Sequence, residues 1–327
     1  MTDTIKYKTR ALLIISIIVL SVVSLSIGAK SFIWTDMFKG DAVHLQTLFI
    51  SRFPRLLSIL ITGAGLSISG LIMQTITGNK FVSPTTAGTM DWCRLGVLFA
   101  ILLAGGQSKI FRILIAFIVA FLGNLVFISI TQRVKYKSAV MVPLIGLMLG
   151  NVVSSLTTFI SYKYNLIQNV SSWLQGNFSL VIKGSYELLY IGIPMVFIAY
   201  FYAGRFTIAG MGESFATNLG LNYKRIVLLG LLIVSFLTTT IVVTIGSIAF
   251  VGLIIPNLVS LYKGDNLKHT LFDTAAVGAL FLLICDIIGR IIIHPYEVSI
   301  SVVVSVLGSI IFLLLIFLRK GKAFKNA

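Results

Sequence analysis

The chain has 327 residues, of which 57% are hydrophobic and only 11% are charged, and its formal net charge is +16 at pH 7. Together with a mean hydropathy of +1.02, this composition excludes an ordinary soluble domain. The basic residues stand in short clusters between apolar stretches, without interleaved aromatic residues. That pattern favours membrane topology over nucleic-acid binding as the reason for the positive charge.

Apolar stretches long enough to cross a hydrocarbon core of roughly 30 Å recur along the whole chain. They predict an all-α polytopic membrane protein with about ten transmembrane helices, forming one transmembrane domain over residues 1–327. The predicted spans are residues 11–28, 52–76, 85–104, 110–132, 138–160, 185–204, 226–246, 247–262, 270–293 and 299–318. The eighth span is short and contains Gly252 and Pro256, so we expect it to be irregular and buried against protein.

The distribution of lysine and arginine predicts the orientation of these spans. An even number of spans puts both termini on one side of the membrane. Placing the termini in the cytoplasm puts the larger share of the basic residues inside, as the positive-inside rule requires. The polar segment 205–225 and the basic tail 319–327 are then cytoplasmic, and the segment is predicted to fold into short helices.

Two features of the charged residues leave alternatives open. Asp91 and Arg94 stand three residues apart on one face of the third span, where they either pair with each other for packing or line a pathway. Arg52, Arg55 and Arg290 lie at predicted outer span ends. They either extend toward lipid headgroups or form a docking site for carboxylates through bidentate hydrogen bonds.

Seven short motifs, in order along the chain, resemble one family. The chain is similar to the FecCD-like permeases, the ten-span membrane subunits of ABC importers for iron–siderophores, haem and vitamin B12. The resemblance covers essentially the whole length. The matching segments are residues 52–55 (RFPR), 70–74 (GLIMQ), 79–84 (NKFVSP), 173–176 (WLQG), 212–220 (GESFATNLG), 250–256 (FVGLIIP) and 286–297 with Asp286, Arg290, Pro295 and Glu297.

The resemblance implies a transport subunit of the bacterial cell membrane rather than an enzyme. Its partners would be a second permease, identical or paralogous, two cytoplasmic ATP-binding subunits and an external solute-binding protein. ATP and Mg would bind to the partner ATPase, and this chain would bind no cofactor and no metal. The chain accordingly lacks the G-x-x-x-x-G-K-[ST] phosphate-binding loop. The cargo would be an iron–siderophore chelate, and the residues after Pro84 resemble the subgroup that handles ferric catecholate-type chelates.

The resemblance also implies roles for individual residues. Arg52, Arg55 and Arg290 would receive acidic residues of the binding protein, and Asn151 would belong to the wall of the pathway. Ser154 either contributes to a smooth, weakly polar wall or forms an ordinary hydrogen bond between helices. The residues that would couple the permease to the ATPase are Gly212, Glu213, Ala216, Leu219 and Gly220.

Some residues depart from the family pattern. Lys80 replaces a usual proline, Asn257 and Ser260 replace a histidine and an arginine, and Ser299 and Ser301 stand in the last span where helix-breaking residues are common. An ion-gradient-driven secondary transporter is the alternative function. Such a transporter usually carries ionisable residues near the midplane, and Asp91 with Arg94 is the deep pair that this sequence offers.

Overall fold

A computed structural model describes residues 2–28, 46–84, 88–133 and 141–325. Helices make up most of this part of the chain. They are α1 Thr2–Ser26, α2 Phe53–Thr77, α3 Thr89–Ala104, α4 Lys109–Arg133, α5 Met141–Lys163, α6 Ile167–Leu174, α7 Gly192–Ala209, α8 Glu213–Asn218, α9 Tyr223–Ile245, α10 Val251–Lys263, α11 Leu267–Ile291 and α12 Ile300–Lys325. A π-helical turn, Leu48–Arg52, leads into α2, and 3-10 turns cover Phe178–Leu180 and Glu187–Ile191.

Each predicted span contains one of these helices, so the predicted all-α membrane fold is confirmed. Within the described ranges, 7 helical segments are long and apolar enough to cross a membrane, and Val251–Lys263 and Ile300–Leu315 are shorter apolar helices. The first residues predicted for the third and fifth spans, 85–87 and 138–140, lie outside the described residues. Helix α12 continues to Lys325, so residues 319–325 of the predicted tail extend the last helix.

Helix α2 lies at the centre of the molecule and packs against α7, α9, α10 and α11. Most of its side chains are buried, which is unusual for a helix that begins and ends near a membrane surface. Its small residues explain this position, because they let neighbouring backbones come close. A Cβ atom on Gly63 would lie 2.5 Å from the carbonyl oxygen of Gly278 in α11, and one on Gly70 would overlap the carbonyl group of Gly252 in α10.

The helical path breaks between α9 and α10, deep in the bundle. Helix α9 ends at Ile245, and α10 begins at Val251 after Phe250, whose φ is 66°. Gly252 lies beside the α2 backbone at Leu66 and Gly70, both of which are in the interior of that helix. The eighth span, predicted over residues 247–262, is buried and begins with irregular backbone at 247–250. The rest of it, α10, is a helix that Gly252 and Pro256 do not interrupt.

Polar groups of other segments satisfy the backbone around this break. The chain after α6 returns into the bundle, where Gln175 forms a parallel bridge with Ser247 and the indole nitrogen of Trp173 donates to the carbonyl of Val243 at 2.9 Å. The hydroxyl groups of Ser299 and Ser301 donate to the carbonyl of Gly176, and that of Ser301 also donates to the carbonyl of Ser247 at 2.7 Å. The serines of the last span therefore stabilise the break.

Pro256 lies inside α10 without interrupting it. Proline has no backbone N–H, so the carbonyl of Gly252, four residues earlier, loses its usual helical donor. The side-chain amide of Gln74 supplies a replacement, with its nitrogen 3.4 Å from the Gly252 oxygen and 3.1 Å from the Leu253 oxygen. This contact explains why a buried glutamine in α2 and a proline in α10 occur together.

The Gly70–Gly252 contact leads to a stability prediction. We expect Gly70→Ala to lower the thermal unfolding midpoint of the detergent-solubilised protein, because the added methyl group overlaps α10 backbone and overpacking costs about 1–3 kcal/mol. Gly106→Ala is the matched control, since no atom lies within 4 Å of a Cβ at that position. Equal midpoints for the two variants would contradict the close packing of α2 on α10.

Candidate functional site

A network of ion pairs lies where α2 begins and α11 ends. The Arg55 guanidinium contacts Asp286 at 2.8 Å through one nitrogen and Glu297 at 2.8 Å through another. Arg290 pairs with the other carboxylate oxygen of Asp286, one helical turn away. The start of α2 is thus joined by charge-assisted hydrogen bonds to the end of α11 and the turn after it, which lie more than 230 residues away in sequence.

Glu297 belongs to the turn between α11 and α12 and accepts a further hydrogen bond from the hydroxyl of Ser179. Burial by itself raises the pKa of Glu297. The hydrogen bond from Ser179 and the positive charge of Arg55 outweigh that effect, and the pKa of Glu297 lies below its usual value. The Glu297 carboxylate therefore stays ionised at neutral pH.

Arg290 and Arg52 also hold the end of α1. The last carbonyl groups of a helix lack partners within the helix. Arg290 donates to the carbonyls of Ser24 at 2.9 Å and Ile27 at 3.0 Å, and Arg52 donates to that of Leu25 at 2.5 Å. Positive charge at a helix C-terminus also interacts favourably with the helix dipole.

The three arginines predicted to dock a binding protein are therefore brought together at one end of the molecule. Arg52 and Arg290 are buried, and the Arg55 side chain is only 13% exposed. All three have acceptors within the chain. The docking role stays a prediction, and a carboxylate from another protein would have to compete with Asp286, Glu297 or the α1 carbonyls. Sequence reasoning missed these internal partners, although the motif that contains Asp286 and Glu297 was visible.

The predicted coupling segment, residues 205–225, contains the short helix α8 between the end of α7 and the start of α9. Gly212 and Gly220 flank α8 with φ values of 109° and 78°, a region that favours glycine because side chains with a Cβ are strained there. Ala216 is fully buried inside the chain, whereas Leu219 is 58% and Phe215 is 47% exposed. Of the residues predicted to contact an ATPase, Glu213 and Leu219 are presented outward and Ala216 is not.

Asp91 and Arg94 line one cavity but form no ion pair with each other within the described residues. The Asp91 carboxylate lies near Ser154 of α5 and within electrostatic reach of Arg94. Gly150 makes room for this contact, since a Cβ there would collide with the Asp91 carboxylate. The cavity has a volume of about 290 Å³ and is lined by Met90, Asp91, Arg94, Ser171, Leu174 and Gln175. Of the two predicted pathway residues on α5, Ser154 thus contacts this cavity's aspartate, and Asn151 is exposed on the helix surface.

Three of the departures from the family pattern meet at the end where α2 and α10 finish. The Asn257 amide donates to the carbonyls of Lys80 and Leu253, both at 2.7 Å. The Lys80 ammonium pairs with Asp265 at 2.5 Å and contacts the Ser260 hydroxyl at 3.3 Å. These residues replace the family's usual proline, histidine and arginine as one connected polar group, which fixes the turn after α2 to the end of α10.

Comparison with known proteins identifies the family of this chain. The profile of the FecCD transport family matches residues 13–318. The chain belongs to the FecCD transport family. The resemblance predicted from the seven motifs is therefore confirmed.

Relatives of the chain within the FecCD family carry names of siderophore import systems. The chain is 57% identical over 311 residues to the petrobactin import system permease protein YclN of Bacillus subtilis, which covers 95% of this chain and 98% of that protein. It is 40% identical over 309 residues to the ferric-anguibactin transport system permease protein FatD of Vibrio anguillarum, which covers 94% of this chain and 98% of that protein.

A solved structure shares the fold. It is described as an inward-facing conformation of a transporter of the metal-chelate ABC type, and it aligns with 96% of this chain and 99% of its own chain. The TM-score is 0.83 at 26% sequence identity. The agreement extends over nearly the whole length of both chains, so the overall helical fold is shared.

The ion network leads to a prediction about this FecCD chain. Arg55→Met leaves Glu297 without its arginine and Asp286 with one partner fewer, and removing one member of a buried ion pair costs about 3–5 kcal/mol. We expect a lower thermal unfolding midpoint of the solubilised protein. Lys183→Met is the control, because its side chain is exposed near the same end. A midpoint for Arg55→Met that matches the control would show that the network adds no stability.

Proposed function

We propose that this chain is a membrane-spanning subunit of an ATP-driven importer that moves an iron–siderophore chelate into the cytoplasm. A partner ATPase would supply the energy, and an external solute-binding protein would deliver the chelate. The proposal rests on one observation: the chain is 57% identical in sequence to a petrobactin import permease over 95% of its length. Family membership over residues 13–318 supports the same assignment.

We place the termini and the α8 segment on the cytoplasmic side, where an ATPase can reach them. The positive-inside bias of the lysine and arginine residues supports this orientation. The ferric catecholate class of chelate is the finer part of the proposal. It is supported by the residues that follow Pro84 and by the names of the two relatives, both of which refer to siderophore transport.

The geometry of α8 supports a coupling role for its outer face. Met211, Phe215 and Leu219 are large apolar side chains that are 60%, 47% and 58% exposed, next to the exposed Glu213. Apolar side chains on a short, rigidly capped helix are typical of a segment that fits into a groove of another protein. Ala216 serves the opposite face, where it lets α8 lie close to α7 and α9.

This division of α8 into two faces gives a prediction. We expect Leu219→Arg to leave the thermal midpoint of the permease unchanged and to abolish copurification of the ATPase subunits, because the substitution places a charge on an exposed apolar contact. Ala216→Arg is the comparison and should lower the midpoint, since its side chain has no room inside the chain. Wild-type recovery of ATPase with Leu219→Arg would remove α8 from the coupling interface.

Uptake of iron tests the function as a whole. Cells with and without this chain receive radiolabelled iron as ferric petrobactin, and a third strain carries a catalytically inactive partner ATPase. We expect accumulation only when both the chain and ATP hydrolysis are present. Uptake that needs the chain but survives loss of the ATPase would favour the ion-gradient-driven alternative.

Ferric hydroxamate and vitamin B12 serve as specificity controls in the same cells. Uptake of ferric hydroxamate without uptake of ferric petrobactin would contradict the catecholate class. Uptake of vitamin B12 alone would contradict an iron–siderophore cargo. The importer assignment stays intact in both cases.

A further inference from the structure

Arg94 lies at the depth of the membrane interior. Its neighbours in α3 contact the middle of two long helices: Asp91 lies against Gly150, in the interior of α5, and Trp92 lies against Gly123, in the interior of α4. Arg94 follows Asp91 by one helical turn. Its guanidinium group is therefore far from either end of α4 and α5, so it cannot reach lipid headgroups simply by extending from a helix end.

Arg94 has no protein acceptor within the described residues. Its side chain lines the 290 Å³ cavity, and the Asp91 carboxylate, which lines the same cavity, forms no ion pair with it. The arginines of the ion network differ in this respect, because Arg52 and Arg290 bind backbone carbonyls and Arg55 binds two carboxylates. An ionised side chain at membrane depth is costly unless water, a counter-charge or a ligand solvates it.

The wall across the cavity from α3 is the C-terminal end of α6 and the residue that follows it. Ser171 and Leu174 lie in α6, and Gln175 forms the bridge with Ser247 at the break between α9 and α10. Non-helical backbone at membrane depth is tolerated where it is buried in protein or lines a water-filled space. The arginine without a protein acceptor indicates that this cavity is hydrated, and the non-helical backbone at Gln175 agrees with that.

We propose that the cavity at Arg94 is a binding site within the membrane for the anionic donor groups of the chelate, meaning its carboxylate or catecholate oxygens. The inference rests on the proposed function, whose cargo is such a chelate. A guanidinium group can offer two parallel N–H donors to paired oxygens. At about 290 Å³ the cavity takes one such group rather than a whole bulky chelate, and the exposed face of α5 with Asn151 borders the rest of the path.

Asp91 makes this site suitable for transport rather than for retention. Its carboxylate lies one helical turn from Arg94 and lines the same cavity without forming an ion pair with it, so its negative charge offsets part of the guanidinium charge. An anion is thus attracted to the guanidinium without entering a strongly positive site. Passage requires binding that is favourable enough for entry and weak enough for release. Asp91 is a positioning residue in this scheme.

The first test compares charge variants by uptake of radiolabelled ferric petrobactin, normalised to the amount of permease in the membrane. We expect Arg94→Gln to lower uptake about tenfold, which is what the loss of a charge-assisted hydrogen bond produces. Arg94→Lys should fall between Gln and wild type, since it keeps the charge and loses the paired donors. Lys163→Gln, which removes an exposed charge at the end of α5, should stay within about twofold of wild type.

A second measurement separates binding from folding. In the purified importer, Arg94→Cys is treated with a water-soluble thiosulfonate reagent, and the unmodified wild type corrects for Cys93 and Cys285, which are buried. We expect the introduced thiol to react and ferric petrobactin to protect it. A cationic aminoethyl reagent should restore uptake, and an anionic sulfonatoethyl reagent should not.

The outcomes distinguish this inference from the proposed function. If wild type takes up no ferric siderophore, the proposed function fails and this inference fails with it. If wild type transports the chelate, and Arg94→Gln transports it equally or the thiol at position 94 is unreactive or unprotected, the inference alone is overturned. Restoration by the cationic reagent together with protection by the chelate supports a binding role that a purely structural arginine would not show.

Discussion

The constraint on which the rest of this structure depends is that backbone polar groups inside a membrane need partners from the protein. The chain breaks its helical path at residues 246–250, and the break is possible because side chains from three other segments reach it. Trp173 binds the last turn of α9, Ser301 binds Ser247, and Gln74 binds the carbonyl that Pro256 leaves without a donor. Each of these residues would be an unremarkable polar side chain in a soluble protein. Inside the membrane, each of these side chains supplies a hydrogen bond that lets the contacted segment depart from regular helix at that position.

The same requirement explains the charged residues at one end of the bundle. Arg55, Asp286, Arg290 and Glu297 form ion pairs with one another, and Arg290 also donates to the end of α1. The primary role of these four side chains is therefore structural, because they connect α1, α2, α11 and the turn before α12. A solute-binding protein that docks here would have to contact atoms that these ion pairs leave accessible, such as the partly exposed Glu297 carboxylate.

Much of the fold could be predicted from the sequence, because apolar stretches and family motifs report length and order directly. The boundaries of α4 and α11 agree with the predicted spans within a few residues. The return of residues 173–177 into the bundle could not be predicted, since the segment is polar and short, and its partners at Ser247 and Ser301 are distant in sequence.

The candidate site was predicted in part. Asp91 and Arg94 were recognised as deep charges, but Ser154 as the partner of Asp91 depends on how α3 and α5 face each other, which spacing along one helix does not contain. For the same reason the burial of Ala216 was missed, because a six-residue helix can turn either face inward.

The attachment of α1 has a consequence for how the protein is made. Within the described chain, α1 buries few of its side chains, and it is held mainly at its two ends. Arg10 contacts Asp273 of α11 at 3.6 Å at one end, whereas Arg52, just before α2, and Arg290 of α11 both bind the other end. Asp273 and Arg290 are synthesised more than two hundred residues after α1, and Arg52 follows α1 by fewer than thirty. The C-terminal end of α1 can consequently be fixed as soon as α2 inserts, whereas its N-terminal end gains its partner only with α11.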